Sequence, residues 1–340
     1  MARIGVSKKA LHNAFDAIKE SGFFSDGRFT RLFKDEVESW ANLPAVPVSN
    51  CGMGLFAILR CLPKRSGIAV VATNTFFATG AMAKEAGYQV FGADCSKTDF
   101  CLTVETLERY APGNTDVVIL THVGGGLASE YENIARWCAE RDIFLVEDAA
   151  HALGVGGDVH GGHTAGSFGV AAAFSLYATK PMSVGEGGVV VTDYPGLADQ
   201  LSRFVNYGKS DAPEGMRYDG VGFNARMSEW TAAIAYLQMQ RRHEMMAIRA
   251  EAAHQLSRVV EPLVKWDQST WYKFIVPAEF PTRRQTGKVY AASDQLTTSM
   301  GLPGVFPNAA WVAASHKCLP IEEGLYDGMS SGEISRYLGV

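Results

Sequence analysis

The chain has 340 residues, 47% hydrophobic and 20% charged, with 31 Lys and Arg against 36 Asp and Glu for a net charge of −5. That length holds about two domains, and the mildly acidic balance lacks the basic face that a nucleic-acid binder needs to neutralise phosphates. The six cysteines form no C-x-x-C pair, residues 1–20 carry no apolar leader core and no run reaches the ~18 apolar residues of a membrane span, so the expectation is a soluble cytoplasmic protein without disulfide, zinc or membrane contact.

Short apolar runs alternate with amphipathic stretches through the first two thirds. Residues 46–50, 67–72, 89–93, 117–121, 143–148, 170–176 and 188–192 read as strands, most too uniformly apolar to have a wet face. Such runs suit a parallel sheet covered on both sides. Helical patterns at 53–61, 77–86, 104–110 and 131–141 separate them, which is the alternation of a doubly wound α/β fold. From Ser228, a plausible N-cap, residues 228–250 read as one long connecting helix. Beyond it, 271–276 reads as a strand, 289–297 as a helix and 301–314 as loop, a smaller α+β unit. The expected division is 1–240 and 241–340.

Three familiar motifs fail. Gly208-Lys209-Ser210 lacks the first glycine of a phosphate-binding G-x-x-x-x-G-K-S loop, Arg203 standing in its place, and Gly154-Val155-Gly156-Gly157-Asp158-Val159 neither ends on glycine nor opens a helix. His160 and His163, in a glycine-rich loop with no carboxylate or thiol at ligand spacing, read as ordinary loop histidines, so no metal is expected.

What remains is polar residues at the carboxyl ends of the strands, where open α/β sheets bind ligands. Asp148 closes the run IFLVED, and a carboxylate there is costly without a cation or donors. Lys180 lies 32 residues on, in a loop of small residues. A desolvated lysine forms Schiff bases, and pyridoxal phosphate requires both such a lysine and an acid on its pyridine nitrogen. The turn Ser49 to Leu55, opening a helix, offers backbone N–H groups to a phosphate. Phe76 and Phe77 follow the strand ending at Ala72; one ring could cover a cofactor, although paired phenylalanines more often belong to a core.

Taken in order, these segments resemble the DegT/StrS group of nucleotide-sugar aminotransferases, fold type I pyridoxal-phosphate enzymes. Thr75-Phe76-Phe77-Ala78-Thr79 resembles the family's T-F/W-x-A-T, Glu147-Asp148-Ala149-Ala150-His151 its E-D-A-A-Q/H, and Gly222-Phe223-Asn224-Ala225-Arg226-Met227-Ser228 its G-x-N-x-R-M-S. Gly166 to Gly169, Phe174-Ser175, Thr179-Lys180 and Gly185 to Gly188 add the most specific stretch. The likeness implies a mostly parallel sheet flanked by helices, a smaller C-terminal α+β domain, pyridoxal 5'-phosphate as cofactor and a homodimer with shared active sites.

By that resemblance Lys180 would be the Schiff-base lysine and proton carrier, Asp148 the partner of the pyridine nitrogen and His151 a neighbour of the ring hydroxyl. Phe76 would stack on the ring, while Ser175 and the backbone of Cys51 and Gly52 would bind the phosphate, completed by Asn224 of a second subunit. The implied reaction moves an amino group from Glu or Gln to a keto-sugar, nucleotide-linked. A smaller keto-acid or cyclitol acceptor, and an inactive homologue with a binding role, are the rival readings. Departures from the family pattern are Asn50-Cys51-Gly52 for S-G-T, His122-Val123-Gly124-Gly125 for H-x-Y-G, Ser129 for Asp and His151 for the commoner Gln. After residue 250 the tail is short and only loosely similar, with His316-Lys317-Cys318-Leu319-Pro320 as its one echo.

Overall fold

The computed structural model describes residues 5–64, 66–156, 164–212, 215–290 and 295–340; His160 and His163 lie outside them. In chain order the first elements are α1 (Lys8–Ser21), α2 (Arg28–Ala41), β1 (Ala45–Val48), α3 (Cys51–Cys61), β2 (Gly67–Ala72), α4 (Phe77–Glu85), β3 (Tyr88–Ala93) and α5 (Val104–Tyr110). There follow β4 (Val117–Thr121), α6 (Tyr131–Ala139), β5 (Phe144–Asp148), β6 (Ala171–Ser175), β7 (Gly188–Val191), α7 (Leu197–Phe204) and the two-stranded β8 (Lys209–Ala212) with β9 (Gly215–Tyr218). The remainder is α8 (Glu229–Gln240), α9 (Arg242–Ser257), β10 (Phe274–Pro277), α10 (Gln295–Met300), α11 (Pro307–Ser315), β11 (His316–Leu319) and α12 (Ser331–Leu338).

Seven strands form the sheet expected from the apolar runs, in the order β1-β7-β6-β5-β4-β2-β3. Only β7 runs against the others, antiparallel to β6 and β1 on either side, so the sheet is mostly parallel. Every residue of β4 and β6 is buried, because helices cover both faces. Small residues let α3 approach closely: a Cβ on Gly54 would lie 2.9 Å from Val190 Cγ2 and 3.3 Å from Ala173 Cβ. On the other face, Phe29, Phe33, Val37 and Trp40 form one stripe of α2 and share a core with Ala232, Ala233 and Ala235 of α8.

The expected helix over 228–250 is two helices. Ser228 does cap α8, its Oγ accepting from Thr231 N–H at 3.2 Å, but the chain turns at Arg241. Arg241 faces Glu244 at 3.0 Å and Glu323 at 3.7 Å, and α9 buries Ala252, Ala253 and Leu256 in a separate cluster with Phe274, Leu319, Tyr326 and Leu338. The expected loop 301–314 contains α11, whose first N–H groups, on Asn308 and Ala309, donate to Asp94 at 3.0 and 2.8 Å. That anchor lies over 200 residues away in sequence, beyond the reach of local pattern. Of the expected helix 289–297, residues 289 and 290 are not helical, 291–294 lie outside the described residues and 295–297 belong to α10, while the strand expected at 271–276 is shifted to β10, paired antiparallel with β11. No helix among the described residues is long and apolar enough to cross a membrane.

Candidate active site

Parallel strands end together, so the polar residues at the carboxyl ends of β5 and β6 and the turn before α3 meet in one cavity of about 540 Å³. Cys51, Gly52, Phe76, Asp148, His151, Ser175 and Lys180 all line it. Asn224 does not; it is exposed, in a bridge with Asn206.

Asp148 is 4% exposed at the end of β5. Its Oδ2 accepts from Thr79 Oγ1 at 2.6 Å and its Oδ1 from Ala150 N–H at 3.2 Å, in a turn rather than at the start of a helix. Burial raises its pKa, and Thr79, Ala150, Lys180 and His122 offset this only in part. A buried acid with two donors retains room for a cationic N–H. Glu147, its neighbour on the opposite face, is saturated instead: Oε2 accepts from His122 Nε2 at 2.9 Å and Gly166 N–H at 2.8 Å, and Oε1 from Phe168 and Gly169 N–H at 2.8 and 2.9 Å.

Lys180 projects into the cavity with Nζ 4.5 Å from the ring centre of Tyr272. Burial lowers its pKa, and nearby Lys273 adds to that, against the opposing pull of Tyr272, Cys51 and Asp148. His151 is buried, and its Nδ1 accepts from Gly124 N–H at 3.1 Å, which places the ring proton on Nε2. Burial, then Lys180 and Lys273, hold its pKa well below the ordinary value, so the imidazole is neutral. Phe76 stands at the start of α4, 60% exposed, and Phe77 is exposed as well; neither joins the core that their pairing suggested.

At α3, Asn50 caps the helix, Oδ1 accepting from Met53 N–H at 2.9 Å. The N–H groups of Cys51 and Gly52 precede the intrahelical ladder and are oriented as an anion site. The Cys51 thiol donates to Ala173 O at 3.5 Å and is kept neutral, burial and Asp148 both raising its pKa. Gly188 permits this turn to lie against β7, since a Cβ there would stand 2.7 Å from Cys51 N. Ser175 Oγ accepts from Tyr177 N–H at 3.3 Å, leaving its proton to donate.

The resemblance implied that the tail helps to form the substrate pocket, but sequence reasoning named no residue of it. Tyr272, Val289 and Tyr290 line the same cavity. Tyr272 bonds Thr179 at 3.0 Å through its hydroxyl, and Lys180, Lys273 and Thr179 together outweigh the effect of burial to lower its pKa. Its loop is fixed by buried Arg249, which donates to the carbonyls of Thr270 and Trp271, and by Gly124 and Gly125, whose carbonyls accept from Lys273 and Thr270 N–H at 2.9 Å each. The Gly124-Gly125-Gly126 run, a departure from the family pattern, is the signal that was available. A Cβ on Gly126 would lie 2.0 Å from Trp266 Cδ1.

Among proteins of known name, the chain is 28% identical to the spore coat polysaccharide biosynthesis protein SpsC of Bacillus subtilis, over 81% of this chain and 74% of that one. It is 28% identical to a GDP-perosamine synthase of Vibrio cholerae, over 73% of this chain and 66% of that one. The fold matches that of DesI, solved in the presence of its TDP-sugar product, with a TM-score of 0.83 at 24% identity, covering 98% of this chain and 89% of DesI. Residues 6–285 match a single family along their length. The chain is thus a member of the DegT/DnrJ/EryC1/StrS aminotransferase family.

Proposed function

We propose that the protein is a pyridoxal-phosphate-dependent aminotransferase that moves an amino group from Glu or Gln to a nucleotide-linked keto-sugar, with Lys180 as its Schiff-base lysine. The observation that carries this reading is the meeting of Lys180 and Asp148 in one cavity with Cys51, Gly52, Phe76, His151 and Ser175 around them. These residues fit the cofactor: Asp148 is a buried carboxylate short of donors, the first turn of α3 offers N–H groups to a phosphate, and an exposed aromatic face is available at Phe76. The nucleotide-linked sugar is supported by the GDP- and TDP- compounds in the names of the relatives.

Bound pyridoxal phosphate supplies a ring that draws electrons from the carbon losing or gaining the amino group. Asp148 would hold a proton on the ring nitrogen, its own ionised form sustained by Thr79 and Ala150. Lys180, with its lowered pKa, would take a proton as a free amine and return it nearby. His151, neutral with its proton on Nε2, would act as a hydrogen-bond donor rather than as a charge. Cys51 and Gly52 N–H and Ser175 Oγ would bind the phosphate.

The homodimer belongs to the same reading. Asn224 is exposed outside its own cavity, next to exposed Phe223, whose carbonyl accepts from the N–H of exposed Tyr207, as expected of a residue serving a second copy. The 240/241 division is supported by the break at Arg241, and a reducing cytoplasm by the burial of all six cysteines outside any disulfide. The test is uptake of pyridoxal phosphate, followed by borohydride reduction and mass analysis. One adduct on Lys180, absent in Lys180→Ala, is expected; a protein that takes up no cofactor overturns the reading. Return of the amino group to a panel of sugar and cyclitol ketones, read spectrally, identifies the acceptor.

A further inference from the structure

We propose that Tyr272 is a positioning residue for amino transfer: the face of its ring is the seat on which the Lys180 amino group carries a proton between taking it up and giving it back. This rests on the reading of Lys180 as the lysine that meets the cofactor. Lys180 Nζ stands over the Tyr272 ring, 4.5 Å from its centre, well within the ~6 Å at which the negative face of an aromatic ring attracts a cation. Lys273 Nζ lies 4.8 Å from the same centre, and the His151 ring packs on it with centroids 4.5 Å apart. The loop holds the ring there at several points. Thr270 Oγ1 donates to His151 O at 2.8 Å and Trp271 N–H to Ser269 Oγ at 2.9 Å. Trp271 has φ 48°, a left-handed conformation that a bulky side chain keeps only where its surroundings impose it. A Cβ on Gly125 would lie 2.7 Å from Tyr272 N, so the loop reaches the cavity across bare backbone. At the far end of the ring, the phenol is bonded to Thr179, the residue before Lys180, at 3.0 Å, which ties ring and lysine together.

An amine that takes a proton from carbon spends its lone pair on the new N–H bond and becomes an ammonium; giving the proton to a second carbon restores the lone pair, so nothing is consumed. The ammonium in between needs stabilising without being robbed of its proton. A carboxylate beside Nζ would attract the charge and also accept the proton. The π face of a ring attracts the charge alone. Asp148 is engaged by Thr79 and Ala150, and Glu186, which also lines the cavity, is exposed. The groups facing Lys180 are Cys51 from α3, Asp148 and His151 from the end of β5, and Tyr272 and Lys273 from the tail. Burial and Lys273 favour its free amine, while Tyr272, Cys51 and Asp148 favour its ammonium. Both forms that a proton carrier must adopt are thereby within reach.

The experiment uses the full chain free of cofactor, with acetic anhydride as probe: trace acetylation of Lys180 is followed against pH by mass analysis, and its midpoint reads the protonation of the amine. Tyr272→Phe, the reference, keeps the ring. The same replacement carrying one, two or three ring fluorines keeps the shape while draining the negative face. From none to three fluorines the midpoint should fall stepwise, by about 0.5–1 pH unit in all. With pyridoxal phosphate added, kcat for amino transfer should fall in the same order by about 3–10-fold, with KM within about twofold. A flat or rising midpoint overturns the seat, and a falling midpoint with constant kcat overturns its part in amino transfer. A wild-type chain that takes up no pyridoxal phosphate overturns the reading of the cavity, and the part in amino transfer with it, even where the midpoint falls stepwise.

Discussion

Two adjacent carboxylates on β5 meet opposite fates because a strand points successive side chains to opposite faces. Glu147, with four donors, is structural: Glu147→Ala should lower stability by about 3–5 kcal/mol, read as thermal or urea unfolding, because His122 and three N–H groups lose their acceptor. Asp148→Asn should leave the unfolding temperature close to wild type yet lower kcat/KM by about 10²–10⁴-fold, measured in the amino-transfer assay. The pH dependence follows from the lysine. With the pKa of Lys180 depressed, its free amine persists below the ordinary lysine range and is lost as the pH falls through the lowered value. Trapping of pyridoxal phosphate by borohydride should therefore have a midpoint below 10.5, the ordinary value for a lysine. Asp148 and Lys180 were legible in the sequence because a polar residue at the end of an apolar strand stands out. Thr79, Tyr272 and Tyr290 were not, since Asp148, Thr179 and His151, which they meet, lie 69 or more residues away.

At the scale of elements, the strands were legible because burial on both faces forces them to be uniformly apolar. The direction of β7 was not, because reversing a fully buried strand leaves its composition unchanged. The break at Arg241 was hidden for a related reason: good helix formers continue on both sides, and only contact with Glu244 and Glu323 and a change of packing partner turns the chain. The start of α2 was equally opaque, for its cap comes from α8. Buried Glu229 accepts from Gly27 and Thr30 N–H at 3.1 and 3.2 Å, from Phe29 N–H and from Thr30 Oγ1 at 2.7 Å, where the helix dipole also favours a carboxylate. Glu229→Ala should cost about 2–4 kcal/mol. Hydrogen exchange confined to α1, α2 and α8 would locate the loss, whereas uniform exchange would place the role elsewhere.

For the whole molecule, the tail docks on glycines. Gly126→Ala drives a Cβ into Trp266, and Gly124 and Gly125, at φ 79° and 124°, sit where L side chains are strained. Gly126→Ala should lower stability by about 1–3 kcal/mol and also weaken cofactor binding, because it moves the 269–273 loop that carries Tyr272; a thermal shift without loss of affinity would separate docking from function.

The placement of β1 has a consequence in time. Residues 45–48 are made well before β7 at residues 188–191, their one partner in the sheet among the described residues, and the cap of α2 waits for residue 229. Strands β2 to β6 can pair among themselves first, which leaves the apolar edge of β6 open until β7 arrives. A chain that ends between residues 176 and 187, once released, would therefore carry an open strand edge and an unpaired first strand, and should aggregate more readily than the full chain.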